Sequence, residues 1–274
     1  MMNEFQIFPD IKLVYGDMPI TAGNGELMIS CCTSGICECK TGDDYFYLTD
    51  ENLIILDNYR NCKISCSSDH CSISLLIDQQ FASADVSGLF EITGVVGNIN
   101  NRSHCMFLSD PDLISVISYI YQGLISNDIP TIRIKVIEFL MLIQKKENAC
   151  TKHIEKLRNI GQFICQNITE HFSISHLSDI FGMNQTTLKG EFKKYFGCSV
   201  YSYAKCRKMF CAAELLLQTD MKIIDIAEEV GYCNASKFAS AFQSVIGVSP
   251  RNFRMEHNKS IQGANTCVTV SAAY

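Results

Sequence analysis

Hydrophobic and polar positions alternate in two different ways along this chain. Up to about residue 80, apolar residues come in short runs rich in β-branched, aromatic and cysteine side chains. These are Ile11–Tyr15, Glu26–Cys32, Ile36–Lys40, Tyr45–Leu48, Leu53–Leu56, Cys62–Cys66 and Ser72–Ile77. Turn-forming clusters separate them: Gly23-Asn24-Gly25, Ser34-Gly35, Gly42-Asp43-Asp44, Asp57-Asn58 and Ser67-Ser68-Asp69. Many short strands with closely spaced turns predict a small sandwich or barrel.

The period then becomes helical. Asp110-Pro111 opens a helix that puts Leu113, Ile114, Ile117, Ile120, Tyr121 and Leu124 on one face. Pro130 opens a second apolar helix ending near Lys145-Lys146, although Ile132, Ile134 and Val136 also alternate as in a strand. Two helices with wide apolar faces need a cover, either their own domain or a second copy of the chain. Glu147–His153 is a short polar link, everything from Ile154 onward reads as helix, and the tail after Arg254 is predicted to fray.

Within that helical half one pattern occurs twice. Leu177, Ile180 and Phe181 face inward on a first helix, Gly182 permits a sharp turn, and Asn184 caps a second helix. Leu188, Phe192 and Tyr195 or Phe196 form the buried stripe of that second helix, which shows Gln185, Thr186, Lys189 and Lys193 outward. About 49 residues later Ile223, Ile226, Ala227 and Val230 pack inward, Gly231 turns and Asn234 caps. Phe238, Ala241, Phe242 and Val245 then form a stripe, with Ser236, Lys237, Ser240 and Gln243 outward. Superposing Gly182 on Gly231 aligns Leu177 with Ile226, Phe181 with Val230 and Phe192 with Phe242, with one extra residue in the second turn. Val200–Gln218 lies between as one long helix, able to hold the units about one DNA turn apart, roughly 34 Å. One helix-turn-helix corner is common in helical bundles; two aligned copies on a connector predict a DNA-binding domain.

Composition sharpens this picture. At 274 residues, 47% hydrophobic and 19% charged, the chain is long enough for two domains and forms cores. The net charge of −6 is unevenly shared. Residues 1–153 hold 10 basic and 19 acidic side chains, a net of −9, whereas residues 154–256 hold 12 and 10, a net of +2. The second half is therefore the one suited to a polyanion. No apolar run approaches the roughly 20 residues of a membrane span. With no secretory signal at the N-terminus, a cytoplasmic location is expected and the 15 cysteines read as reduced thiols.

The segment IIDIAEEVGYCNASKFASAFQSVIGVSPRNFR, Ile223–Arg254, resembles the second-unit signature of the AraC/XylS family of bacterial transcription regulators. LSDIFGMNQTTLKGEFKKYFG (Leu177–Gly197) is similar to its first unit, and KMFCAAELL (Lys208–Leu216) to its linker helix. The Gly25–Asn58 region loosely resembles the cupin-like β-barrel that often precedes this domain. The resemblance implies an α+β chain of four parts: a sensing barrel over 1–109, a helical dimerisation segment over 110–148, the double helix-turn-helix domain over 154–256 and a flexible tail over 257–274. It implies that each recognition helix enters a major groove. By position, Gln185, Thr186, Lys189, Asn234, Ser236, Lys237 and Ser240 would read bases, and Lys193, Lys194, Arg251 and Arg254 would contact phosphates. Gly190 and Ser240 stand where the family often has Arg, and Gln243 and Ser244 replace common Lys, so fewer phosphate contacts are expected.

The first half offers little sign of catalysis. The first histidine is His70, and His70 and His104 stand apart, each read as an ordinary core or surface side chain. Cys37 and Cys39 would point to one face of a strand, but no CxxC occurs, and the cysteines read as core fillers. No metal ligand, cofactor or catalytic residue is expected. The chain reads as an activator that binds double-stranded DNA, contacts RNA polymerase, dimerises with itself and responds to a small-molecule effector. Cys32, Tyr45, Tyr47 and Leu56 are the expected lining of an effector site. A thiol- or metal-sensing regulator with the same DNA-binding half stays open, as does a cupin-type enzyme with an interaction domain, against which the lack of histidine in residues 1–69 argues.

Overall fold

The computed structural model describes residues 3–16, 26–49, 52–56, 62–78, 105–108, 110–145 and 153–262. Nine strands come first among them: β1 Asn3–Phe8, β2 Ile11–Gly16, β3 Glu26–Ser34, β4 Cys37–Thr41, β5 Asp44–Leu48, β6 Leu53–Leu56, β7 Cys62–Cys66, β8 Cys71–Asp78 and β9 Cys105–Leu108. They pair as a six-stranded sheet, in the order β1-β2-β8-β3-β6-β9, and a three-stranded sheet, β5-β4-β7. Every pairing is antiparallel. Thr41 pairs with Asp44 across a two-residue turn, and Gly42 at φ +60° supplies the positive φ that such a hairpin needs.

The expected cupin-like barrel is corrected here. Among the described residues the two sheets do not close on each other; β1 and β9 are edges of one, β5 and β7 of the other. The larger sheet is covered on both faces instead. Leu27, Ile29, Leu53, Ile55, Leu75 and Ile77 meet the helices that follow, while Met28, Ile54, Leu56 and Leu76 face the small sheet. A strand buried on both faces carries apolar residues at consecutive positions, which is why β6 reads Leu-Ile-Ile-Leu.

Helices α1 (Pro111–Ser126) and α2 (Ile129–Lys145) form the outer layer. Asp110 caps α1 by accepting from the Asp112 and Leu113 amides, with Pro111 in the first turn, where its missing N–H costs nothing. Ile132, Val136, Phe139, Leu140 and Ile143 are buried in α2, a helical spacing, so the alternation at Ile132–Val136 does not make a strand. Leu113, Ile117 and Ile120 join them on the sheet, whereas Tyr119, Ile125, Ile134 and Met141 remain exposed.

The second half is all helix: α3 Ile154–Gln166, α4 Ile174–Phe181, α5 Gln185–Phe196, α6 Val200–Gln218, α7 Ile223–Glu229, α8 Ala235–Ile246 and α9 Pro250–Gln262. The connector expected at Val200–Gln218 is α6, about 28 Å long at 1.5 Å per residue. The tail does not begin at residue 257, because α9 continues to Gln262; the first glycine after Pro250 is Gly263. Phe192, Phe196 and Tyr203 pack ring to ring around α5 and α6, and Phe242 packs on Phe238 and Phe253 around α8 and α9. No helix of the described residues is long and apolar enough to cross a membrane.

The small sheet lies between the halves. β5 alternates, so Tyr45 and Tyr47 face α6 while Leu48 faces the larger sheet. Tyr47 meets Tyr203 edge-on at 5.3 Å, and Phe46 lies 5.7 Å from both Tyr195 and Phe196. One continuous apolar core therefore runs from the small sheet into the helical half.

Candidate nucleic-acid interface

Local chemistry sets both helix-turn-helix corners. Ser173 starts α4 by accepting from the His176 amide, and Gly182 ends it in the left-handed region at φ +56°. Asn184 caps α5 through its side-chain oxygen, which accepts from the Thr186 amide at 2.9 Å. In the second unit Asn234 accepts from the Lys237 amide at 2.9 Å, and Gly231 turns the chain at φ +80°. Gly231 also presses on the Thr169 backbone so closely that a Cβ would collide with its carbonyl. Lys208 of α6 donates to that same carbonyl at 3.4 Å, tying the second corner to the chain entering the first.

With the corners fixed, most of the stripes fall as predicted; Ile180, expected to face inward, is instead 47% exposed, and Ala241 is only half-buried. Leu188, Phe192, Tyr195 and Phe196 are buried in α5, and Phe238, Phe242, Val245 and Ile246 in α8. Gln185, Thr186, Lys189, Lys193 and Lys194 are exposed on α5; Ser236, Lys237 and Ser240 are exposed on α8, and Arg251 on α9. Lys194 reaches Glu191 at 3.4 Å. Two expected contact residues are otherwise engaged. Asn234 is exposed, but its oxygen caps α8. Arg254 is half-buried and donates to the carbonyls of Met221 at 2.6 Å and of Leu216 and Thr219 at 3.4 Å, so it closes the C-terminal end of α6.

The carboxyl ends of both α5 and α8 are held by the first half of the chain. Asn52 Nδ2 donates to the Gly197 carbonyl after α5 at 2.8 Å. Ser68, in the turn between β7 and β8, donates to the Ile246 carbonyl of α8 from its amide at 2.8 Å and its hydroxyl at 2.9 Å. Between these clamps lies a buried polar cluster. Arg207 of α6 donates to both carboxylate oxygens of Glu38 at 3.2 and 3.3 Å, Tyr47 donates to Glu38 Oε2, and the guanidinium stacks over Tyr45 at 4.0 Å. Burial pushes the Glu38 carboxyl above its usual range, offset in part by Arg207 and Tyr47. Burial also works against the Arg207 charge, but Glu38 and the tyrosines more than restore it. At the rim, Arg158 Nε sits 2.7 Å from Asp44 and Lys63 Nζ 2.9 Å from Glu214.

The expected effector lining does not come together. Cys32 and Leu56 lie in the core between the sheets, and Tyr45 and Tyr47 point the other way, onto α6. Strand alternation separates the pairs. Sequence reasoning missed Asn52, Ser68, Glu38 and Arg207. The one available signal was the charge of Glu38 between Cys37 and Cys39; Arg207, with Lys205 and Lys208 beside it, offered none.

The helix-turn-helix domain family matches residues 177–256. The transcriptional regulator ExsA of Pseudomonas aeruginosa is 29% identical over 127 residues, 46% of this chain and 42% of ExsA. The virulence regulon transcriptional activator VirF of Yersinia enterocolitica is 28% identical over 138 residues, 47% of this chain and 51% of VirF. The matched stretch thus spans about half the length of these curated relatives. Among solved structures, a transcriptional regulator from Chromobacterium violaceum described as AraC-type is 25% identical, covering 38% of this chain and 93% of that one at a TM-score of 0.36. Two capped corners and their spacing by α6 make residues 177–256 a double helix-turn-helix domain, similar to that of AraC-family transcription regulators such as ExsA and VirF.

Proposed function

We propose that this regulator lays α5 and α8 into successive major grooves of one face of a DNA duplex and activates transcription from there by contacting RNA polymerase. The observation that carries the reading is the pair of exposed polar faces on two capped helices joined by one rigid helix. Gln185, Thr186, Lys189, Ser236, Lys237 and Ser240 are the base readers; glutamine suits adenine and lysine suits guanine. Lys193, Lys194 and Arg251 meet phosphates, while Asn234 and Arg254 set the helices that do the reading. Activation is supported by relatives described as a transcriptional activator and as a positive regulatory protein. Tyr119, Ile125, Ile134 and Met141, exposed on α1 and α2, are the surface through which two copies pair. A small-molecule signal acting on the first half controls the response, in the cytoplasm.

The test is a binding titration of the full chain on fragments recovered by mapping its sites across a genome. The slope of log affinity against log salt should lie at roughly −3 to −6 per monomer, at about −0.9 per phosphate. Lys193→Ala should weaken all sequences alike and make the slope shallower by about 0.9, whereas Lys189→Ala should weaken the preferred site by roughly 1–3 kcal/mol and relax one base position. Binding without sequence preference or salt dependence would sink the reading.

A further inference from the structure

Cys37, Cys66 and His70 come together between the two sheets of the first half. One ligand atom from each lies within 4.8 Å of the other two. Their meeting follows from topology. Cys37 of β4 and Cys66 of β7 are direct cross-strand partners, and His70 lies four residues beyond Cys66, after the turn. Cys37 and His70 are buried and Cys66 half-buried. Further sulfur is near: Cys39 Sγ is 4.0 Å from Cys37 Sγ, and Cys32 Sγ is 3.5 Å from His70 Nδ1. The three side chains line a cavity of about 10 Å³, closed otherwise mainly by apolar side chains.

We infer that this cluster is a binding site for a thiophilic closed-shell cation, Zn²⁺ or Cu⁺, held by Cys37, Cys66 and His70 with Cys39 and Cys32 as further sulfur donors nearby. In a tetrahedral shell with metal–sulfur bonds of about 2.3 Å and metal–nitrogen bonds of about 2.0 Å, donor atoms stand ~3.5–3.8 Å apart. From separations of at most 4.8 Å, the three donors need to close by about 1.3 Å or less. Two sulfurs and an imidazole are soft to borderline ligands and select against Mg²⁺ and Ca²⁺, which take oxygen. The cavity has room for one ion and none for an organic ligand. On binding, each thiol releases its proton to solvent as its sulfur bonds the metal, and no electron is transferred. Cys66 and His70 bracket the turn whose Ser68 holds the Ile246 carbonyl, so the ion would brace the support of α8. This site does not depend on the reading of α5 and α8 given above.

Reduced full-length protein is stripped of metal, titrated anaerobically with Zn²⁺ and separately with Cu⁺ against chromophoric competitors, and its bound metal counted. One equivalent of one of these ions should bind, and which one binds more tightly identifies the occupant. Cys37→Ser, Cys66→Ser and His70→Ala should each weaken binding by more than the roughly 10- to 100-fold that follows loss of a residue merely orienting a ligand. Cys233→Ser, at an exposed site, should leave it unchanged. Co²⁺ added to the unaltered protein should give thiolate-to-cobalt charge-transfer absorption, a readout that survives if a variant fails to fold. No stoichiometric binding, binding undiminished in the three variants, or a cobalt adduct without thiolate bands would each overturn the site.

Discussion

At the scale of single residues, the two turn glycines are not equivalent. Both have positive φ, but a Cβ on Gly182 would meet nothing within 4 Å, whereas one on Gly231 would strike the Thr169 backbone. Gly182→Ala should therefore cost only the left-handed strain, about 1 kcal/mol. Gly231→Ala adds a collision with backbone that cannot retreat, and should cost about 3 kcal/mol or more. Urea denaturation of the two variants checks this; equal losses would show that φ alone decides. These glycines, and the capping asparagines near them, were legible in the sequence because their chemistry is local. The grouping of Cys37, Cys66 and His70 was not, since it depends on which strands pair, and His70 read as a solitary histidine. The partners of Arg254 were illegible for the same reason, as these carbonyls lie more than 30 residues earlier in the chain.

At the scale of elements, β6, β7 and α6 begin and end where the sequence pattern puts them. β1 and β9 were not anticipated: Asn3–Phe8 carries charged and polar residues, and Cys105–Leu108 is only four residues long. Sheet closure was illegible as well, because alternation says which faces are buried but not what buries them. The caps of α5 and α8 make an element-level prediction. Replacing Asn234 with Ala removes the acceptor of the Lys237 amide and should destabilise the first turn of α8 by about 1 kcal/mol. Amide exchange at Lys237 should quicken roughly fivefold, with protection deeper in α8 little changed, and Asn234→Asp should restore it. Unaltered protection in the alanine variant would mean that this cap contributes nothing to the helix.

At the scale of the whole molecule, the buried pair Glu38–Arg207 joins the small sheet to α6, with both side chains less than a tenth exposed. Glu38→Ala would leave a buried guanidinium with Glu214, at 3.7 Å, as its remaining carboxylate among the described residues. Breaking a buried pair in this way costs about 3–5 kcal/mol, whereas replacing both partners with apolar residues can be close to neutral. The double variant Glu38→Met/Arg207→Met should therefore be more stable than Glu38→Ala in chemical denaturation. A single variant no worse than an ordinary surface change, within about 0.5 kcal/mol, would show that the halves do not rely on this contact. The clamps from Asn52 and Ser68, one at the end of α5 and one at the end of α8, carry a different consequence. If α5 and α8 read DNA as proposed, two reading heads held to one slab would resist pivoting to follow a groove out of phase with them, and the duplex would have to do the adjusting. Bending a site of 20–30 base pairs costs on the order of 1–6 kcal/mol, and that cost depends on how pliable the steps between the contacted bases are. Base pairs that neither helix touches would then discriminate between operators through their stiffness alone.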